Sequence, residues 1–141
     1  MKLQAVLAIG SLAAFGLFAQ SPEEKEYEAW MKATGATVGS LRKNVEGKAA
    51  DGAAADAQKL AEIFKQVEGF WAKRQTEDAV KRSREAQAAA GEVASAAKAG
   101  NWEGTGSGLK GLMSTCAACH AAHREKLPEG GYKIKQSPTA E

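Results

Sequence analysis

Apolar side chains recur along this chain every three or four residues, in four successive runs, and no segment alternates as a strand does. The first run is Tyr27, Trp30, Met31, Thr34, Val38, Leu41 and Val45, which fall on one helical stripe. Ser21-Pro22-Glu23-Glu24 precedes it and has the form of a helix start: a serine cap, a proline in the first turn, and a glutamate to complete a capping box. Gly35 and Gly39 weaken the helix but lie four apart, where a flat ring or another backbone could come close. Gly47 is its expected stop.

The second run, Leu60, Ile63, Phe64 and Val67, predicts a helix that opens near Asp51 or Asp56 and ends at Glu68-Gly69, leaving Phe70 and Trp71 at the turn. The third spans about Thr76 to Ala99 and is rich in alanine, with Val80, Ala86, Ala90, Val93 and Ala97 inward and Gly100 as its cap. Asn101 can cap a fourth helix whose stripe is Leu109, Leu112, Met113, Cys116, Cys119, His120, His123 and Leu127. Gly104, Gly106, Gly108 and Gly111 oppose its first half. Either packing holds that half helical or the helix starts late. Pro128 and Gly130-Gly131 close it, and the tail beyond is expected to be extended, with only Tyr132 and Ile134 able to pack. Four helices on short connections predict an all-α, antiparallel four-helix bundle over residues 20–127, with a tail over 128–141.

Composition narrows the function. The chain has 141 residues and 19 basic against 17 acidic side chains, mixed along its length. A net charge of +2 without a basic run excludes a nucleic-acid binder, and no stretch of sequence concentrates charge enough to name a docking face. Lys2 followed by the uncharged, apolar Leu3–Phe18 has the form of an export signal, with cleavage expected after Ala19. The alternative is an uncleaved anchor, for which the run falls short of the ~20 residues of a spanning helix. The only cysteines are Cys116 and Cys119, so there is no disulfide framework and no lipid-anchoring cysteine behind the apolar run.

Those two cysteines lie in Cys116-Ala117-Ala118-Cys119-His120. Residues three apart share a helix face, so both thiols can reach one porphyrin, and His120 can offer its imidazole to the iron from the same side. This is the spacing of c-type haem attachment, and export supports it, because bacteria attach haem covalently outside the cytoplasm. A zinc site would want four ligands; the only other histidine is His123, one turn along the same helix. A thiol redox pair would expect a βαβ setting that the helical pattern does not offer.

A haem motif near the C-terminus of a four-helix chain resembles the class II cytochromes c, which include the cytochromes c′ and their low-spin relatives. The resemblance covers about Ser21 to Leu127. It is strongest at Cys116–Arg124, which looks like the Cys-x-x-Cys-His-x-x-aromatic-Arg ending, and at Trp30–Gly35, which looks like the first-helix segment facing the distal side of the haem. It implies thioethers from Cys116 and Cys119, His120 as proximal ligand, and Arg124 near that imidazole. His123 stands where an aromatic is common and Tyr27 where many members carry an arginine near a propionate. The family also includes many homodimers.

Position 31 separates two functions within that resemblance. A methionine there ligates the iron in low-spin members, whereas a bulky apolar residue leaves it five-coordinate. This chain has Met31. A His120/Met31 pair implies a periplasmic electron carrier with one haem c and redox proteins as partners. The alternative is that Met31 only packs and the haem binds NO or CO. A peroxidase would need a distal acid–base group, and the inner stripe of the first helix offers only Tyr27, so no enzyme is expected.

Overall fold

The computed structural model describes residues 20–135; the expected signal segment 1–19 and the end of the tail lie outside the described residues. Four helices follow one another: α1 (Pro22–Glu46), α2 (Ala50–Lys73), α3 (Glu77–Lys98) and α4 (Trp102–His123). The connections, each of three residues, force each helix to run back along the one before it. α1 starts as its sequence requires: the Ser21 side chain accepts from the Glu24 amide at 3.2 Å, and Glu24 accepts from the Ser21 amide at 2.9 Å.

The arrangement is uneven. α2 packs closely on both α1 and α3, and α4 packs on α3, whereas α1 and α4 barely meet. The α2–α3 seam joins Leu60, Phe64, Val67, Phe70 and Trp71 to the small residues Ala79, Ala86, Ala90, Ala94 and Ala97, all buried. Alanine lets two helices approach closely while costing little helix propensity.

Three sequence expectations are corrected. α2 does not end at Glu68-Gly69 but continues to Lys73. Gly69 faces outward, where a missing side chain costs only propensity, and the next two residues bury Phe70 and Trp71 in the core. α4 ends at His123, not near Leu127, because Arg124 turns extended (φ −115°, ψ 131°). The chain does contain strands: β1 (Arg124–Lys126) and β2 (Tyr132–Ile134) pair antiparallel, with Arg124 opposite Ile134 and Lys126 opposite Tyr132. Gly130 and Gly131 make the turn at φ 98° and 81°, a region open to glycine. Lys135 fastens the hairpin back onto α4, its amide donating to the His123 carbonyl at 2.9 Å and its Nζ to that of Ala121 at 3.0 Å.

The glycine-rich half of α4 is helical from Trp102 onward, so packing holds it. Asn101 accepts from the Gly104 amide at 2.9 Å, and Thr105 and Leu112 are fully buried. Gly108 lies against α3 so closely that a Cβ there would come within 2.9 Å of Val93 Cγ2, whereas one at Gly106 would meet nothing within 4 Å.

At the end of the bundle where α1 starts and α4 finishes, aromatic rings interlock. Tyr27 lies 4.4 Å from Phe70 and 5.6 Å from Trp71 between ring centroids, and Trp71 lies 4.9 Å from the His123 ring. His123 Nε2 meets Asp78 Oδ2 of α3 at 2.7 Å. This residue therefore takes the aromatic's packing place and also ties α4 to α3. Burial acts to raise the Asp78 carboxyl, but the hydrogen bond and charge of His123 outweigh it and hold the group below its ordinary value.

Two outcomes are expected. In chemical denaturation, Gly106→Ala raises stability by up to about 1 kcal/mol through helix propensity, whereas Gly108→Ala lowers it by about 1 kcal/mol, since overpacking exceeds that gain; equal effects would mean that the α3–α4 seam is loose. Asp78→Asn costs less than about 1 kcal/mol, because the pair is half exposed and screened. Its sign follows from the lowered carboxyl: the wild-type advantage is present above the ordinary aspartate range and is lost as pH falls through the native Asp78 value. Thermal melts of both proteins from neutral to acid pH should therefore converge at the acid end.

Candidate functional site

The last two turns of α4 carry the motif. Cys116, Cys119 and His120 are all half-buried, and Cys116 packs against the core. Burial raises both thiols; at Cys119 the Arg82 charge opposes this, while Asp78 and Cys116 add to it. Both are therefore neutral thiols at pH 7, free of each other, which is unlike the depressed thiolate of a redox-active pair. Burial lowers His120, and the positive charge of Arg124 lowers it further. The imidazole is held neutral, with a lone pair available to a metal. Among the described residues no three of His, Cys, Asp or Glu converge as ligands for one metal ion.

The aromatic end sets the height of what stands opposite. Tyr27 of α1 is at the level of Trp71 and His123, and its phenol is close enough to Cys119 to feel a charge there. One turn into α1, a rise of ~6 Å, brings Met31; one turn back along the antiparallel α4 brings Cys119 and His120. Met31 and the motif thus occupy one layer of the bundle. They lie on α1 and α4, the two helices that are barely packed together. Met31 is half-buried and touches the core rim.

These residues suit a flat macrocycle between α1 and α4: two neutral thiols and an imidazole on one wall, and a thioether at the same level on the other. Arg82 of α3 adds a feature that the sequence did not reveal. Its Nε is buried without a hydrogen-bond partner, and its charge acts on Cys119. An anionic group bound in this layer would complete it. On a helix surface an arginine reads as solvated, and only the packing of α3 shows otherwise.

Two other expectations change. Gly35 and Gly39 are exposed with nothing within 4 Å of a notional Cβ, so no other backbone approaches them; Thr34, Thr37, Val38 and Leu41 are the buried residues of α1. Tyr27 is half-buried among the aromatics, and desolvation first, then the neighbouring Cys119, pushes its phenol up to about 12 against smaller opposing effects of Trp71 and Arg124. Arg124 influences His120 as the resemblance implies, but its guanidinium is stacked 3.9 Å over the Tyr132 ring of the hairpin. The broad hollow lined by Gln75, Glu77, Lys81, Arg84 and Glu85 contains none of the candidate ligands.

Comparison with known proteins places this geometry in context. No protein-family model and no curated protein matches the chain. Among solved structures it is similar to a cytochrome c′ whose dimer dissociates under ligand control, with a TM-score of 0.62 and 23% identity over 83% of this chain and 99% of that one. The likeness establishes the fold: an antiparallel four-helix bundle of the cytochrome c′ kind.

Proposed function

We propose that this chain is an exported monohaem c-type cytochrome that carries single electrons, with Cys116 and Cys119 as thioether attachments and His120 and Met31 as axial ligands. The observation that carries this reading is that Met31 and the Cys116–His120 motif lie at one level of the bundle on α1 and α4, the two helices that barely meet. When bound, the haem supplies reversible one-electron chemistry at its iron.

The residues then divide the work. Cys116 and Cys119 fix the group to α4, so that it moves with one rigid element. His120, kept neutral by burial and Arg124, would hold the iron through its imidazole. Met31 would offer its thioether from α1 and keep small ligands away. A thioether and an imidazole both remain neutral whatever the oxidation state, so neither has to gain or lose a proton. Tyr27 keeps its proton throughout the neutral range and so offers no general base there. The export signal points to the periplasm, and among the described residues no helix is long and apolar enough to cross a membrane.

One observation favours a second reading. The similar solved structure is a cytochrome c′ with a ligand-controlled dimer. If Met31 serves only as packing, the same layer leaves the distal side open to NO or CO, and a homodimer could respond to it.

Two measurements test these roles. Haem is expected to resist extraction from the wild type by acidified organic solvent and to be extracted from Cys116→Ser/Cys119→Ser; extraction from both would remove the attachment role. The ferric wild type should be low-spin with a weak far-red methionine band, and Met31→Leu should lose that band and bind CO at once when reduced. A reduced wild type that is already high-spin and takes up CO without delay would establish the second reading instead.

A further inference from the structure

The hairpin that follows α4 gathers charge that the linear sequence disperses. Residues 124–135 hold Arg124, Lys126, Lys133 and Lys135 against Glu125 and Glu129. Their net +2 equals that of the entire chain, so the remainder is neutral on balance. Pairing then sorts these groups onto two faces, because directly opposed residues of an antiparallel ladder lie on the same side. Glu125 and Lys133 face each other and form an ion pair at 3.5 Å. Arg124, Lys126, Tyr132 and Ile134 share the other face.

On that second face Ile134 packs against the bundle and Tyr132 does not: it is 51% exposed, the one large hydrophobic side chain so exposed among the described residues. Arg124 lies under its ring at 3.9 Å. Neither Arg124 nor Lys126 has an acidic partner among the described residues. The surface is thus an exposed aromatic ring flanked by two unpaired cations. It is also joined directly to the candidate ligand, since the Arg124 amide donates to the His120 carbonyl.

We propose that Tyr132, Arg124 and Lys126 form the docking face for an acidic one-electron redox protein. The inference rests on the carrier reading above. Charge complementarity selects the partner. Two cations around one ring suit the small, transient contact of a redox encounter, in which opposite charge raises the association rate more than the affinity. The electron passes from the reduced partner to the ferric iron, with no bond made or broken. The hairpin's attachment to α4 puts the partner at the end of the helix that bears the iron's ligand.

The test uses the haem-loaded full chain and, as probe, reduced plant-type ferredoxin, an acidic one-electron donor. Its rate of reducing the ferric protein is followed by stopped flow across ionic strength. The wild-type rate should fall steeply with salt. Lys126→Glu and Tyr132→Ser should each lower the low-salt rate by about tenfold, the first through lost steering. Lys133→Glu changes net charge as much as Lys126→Glu but on the paired face, and should cost much less. Equal losses for Lys126→Glu and Lys133→Glu would mean that overall charge acts and not this face, and would overturn the proposal.

Three other results would overturn it too. One is a rate insensitive to salt and to Lys126→Glu in a protein that dithionite reduces normally, which leaves the carrier reading intact. Another is Lys126-dependent binding to phosphatidylglycerol vesicles with an unchanged ferredoxin rate, which assigns the face to a membrane. The third is Tyr132-dependent self-association in sedimentation velocity with that rate unchanged. A protein purified without haem would overturn this proposal and the carrier reading together.

Discussion

The close seam between α2 and α3 supports everything else in this bundle. α1 is attached to α2, α4 to α3, and the two outer helices scarcely touch. A helix cannot turn two thiols and an imidazole toward a flat group and also pack the same face tightly against a neighbour. The alanines of α3 resolve that conflict. They let α3 approach α2 closely enough for that pair to hold the fold, while the α1–α4 side can take a ring between its walls. Gly108 extends the same economy of volume to the α3–α4 contact, where even one methyl would crowd Val93.

The chemistry of the site follows from depth more than from charge. The candidate ligands are half-buried, so desolvation keeps both thiols protonated and the imidazole neutral. These are the states in which a thiol waits for covalent attachment and an imidazole coordinates iron. The floor of the site is aromatic, and His123 belongs to it: its ring packs at a tilt against Trp71 while its nitrogen reaches Asp78. A histidine three residues past the candidate ligand is here a structural tie between helices.

Much of this was legible in the sequence. The stripes from Tyr27 to Val45 and from Leu109 to His123 located α1 and α4, and the capping box at Ser21 fixed the first helix start. The errors share one physical origin, which is that tertiary packing overrides local signals. Gly69 resembled a helix end but faces solvent, while Phe70 and Trp71 beyond it have a core to enter. Gly35 and Gly39 suggested a close approach, but which side of α1 is inside depends on neighbours that a single stripe does not name. The burial of Arg82 and the hairpin after His123 were not legible, since both rest on contacts between segments distant in sequence or on pairing across a turn. The sorting of hairpin charges into a paired face and an unpaired face is a consequence of register alone.

The central claim is that α4 supplies one axial ligand and α1 the other, across the side of the bundle that the α2–α3 seam leaves loosely packed. Iron-edge X-ray absorption of the ferric full-length protein tests this most directly. A sulfur scatterer bound to iron, absent from the Met31→Leu variant, is the result expected. A first coordination sphere of nitrogen and oxygen alone in the wild type would contradict it.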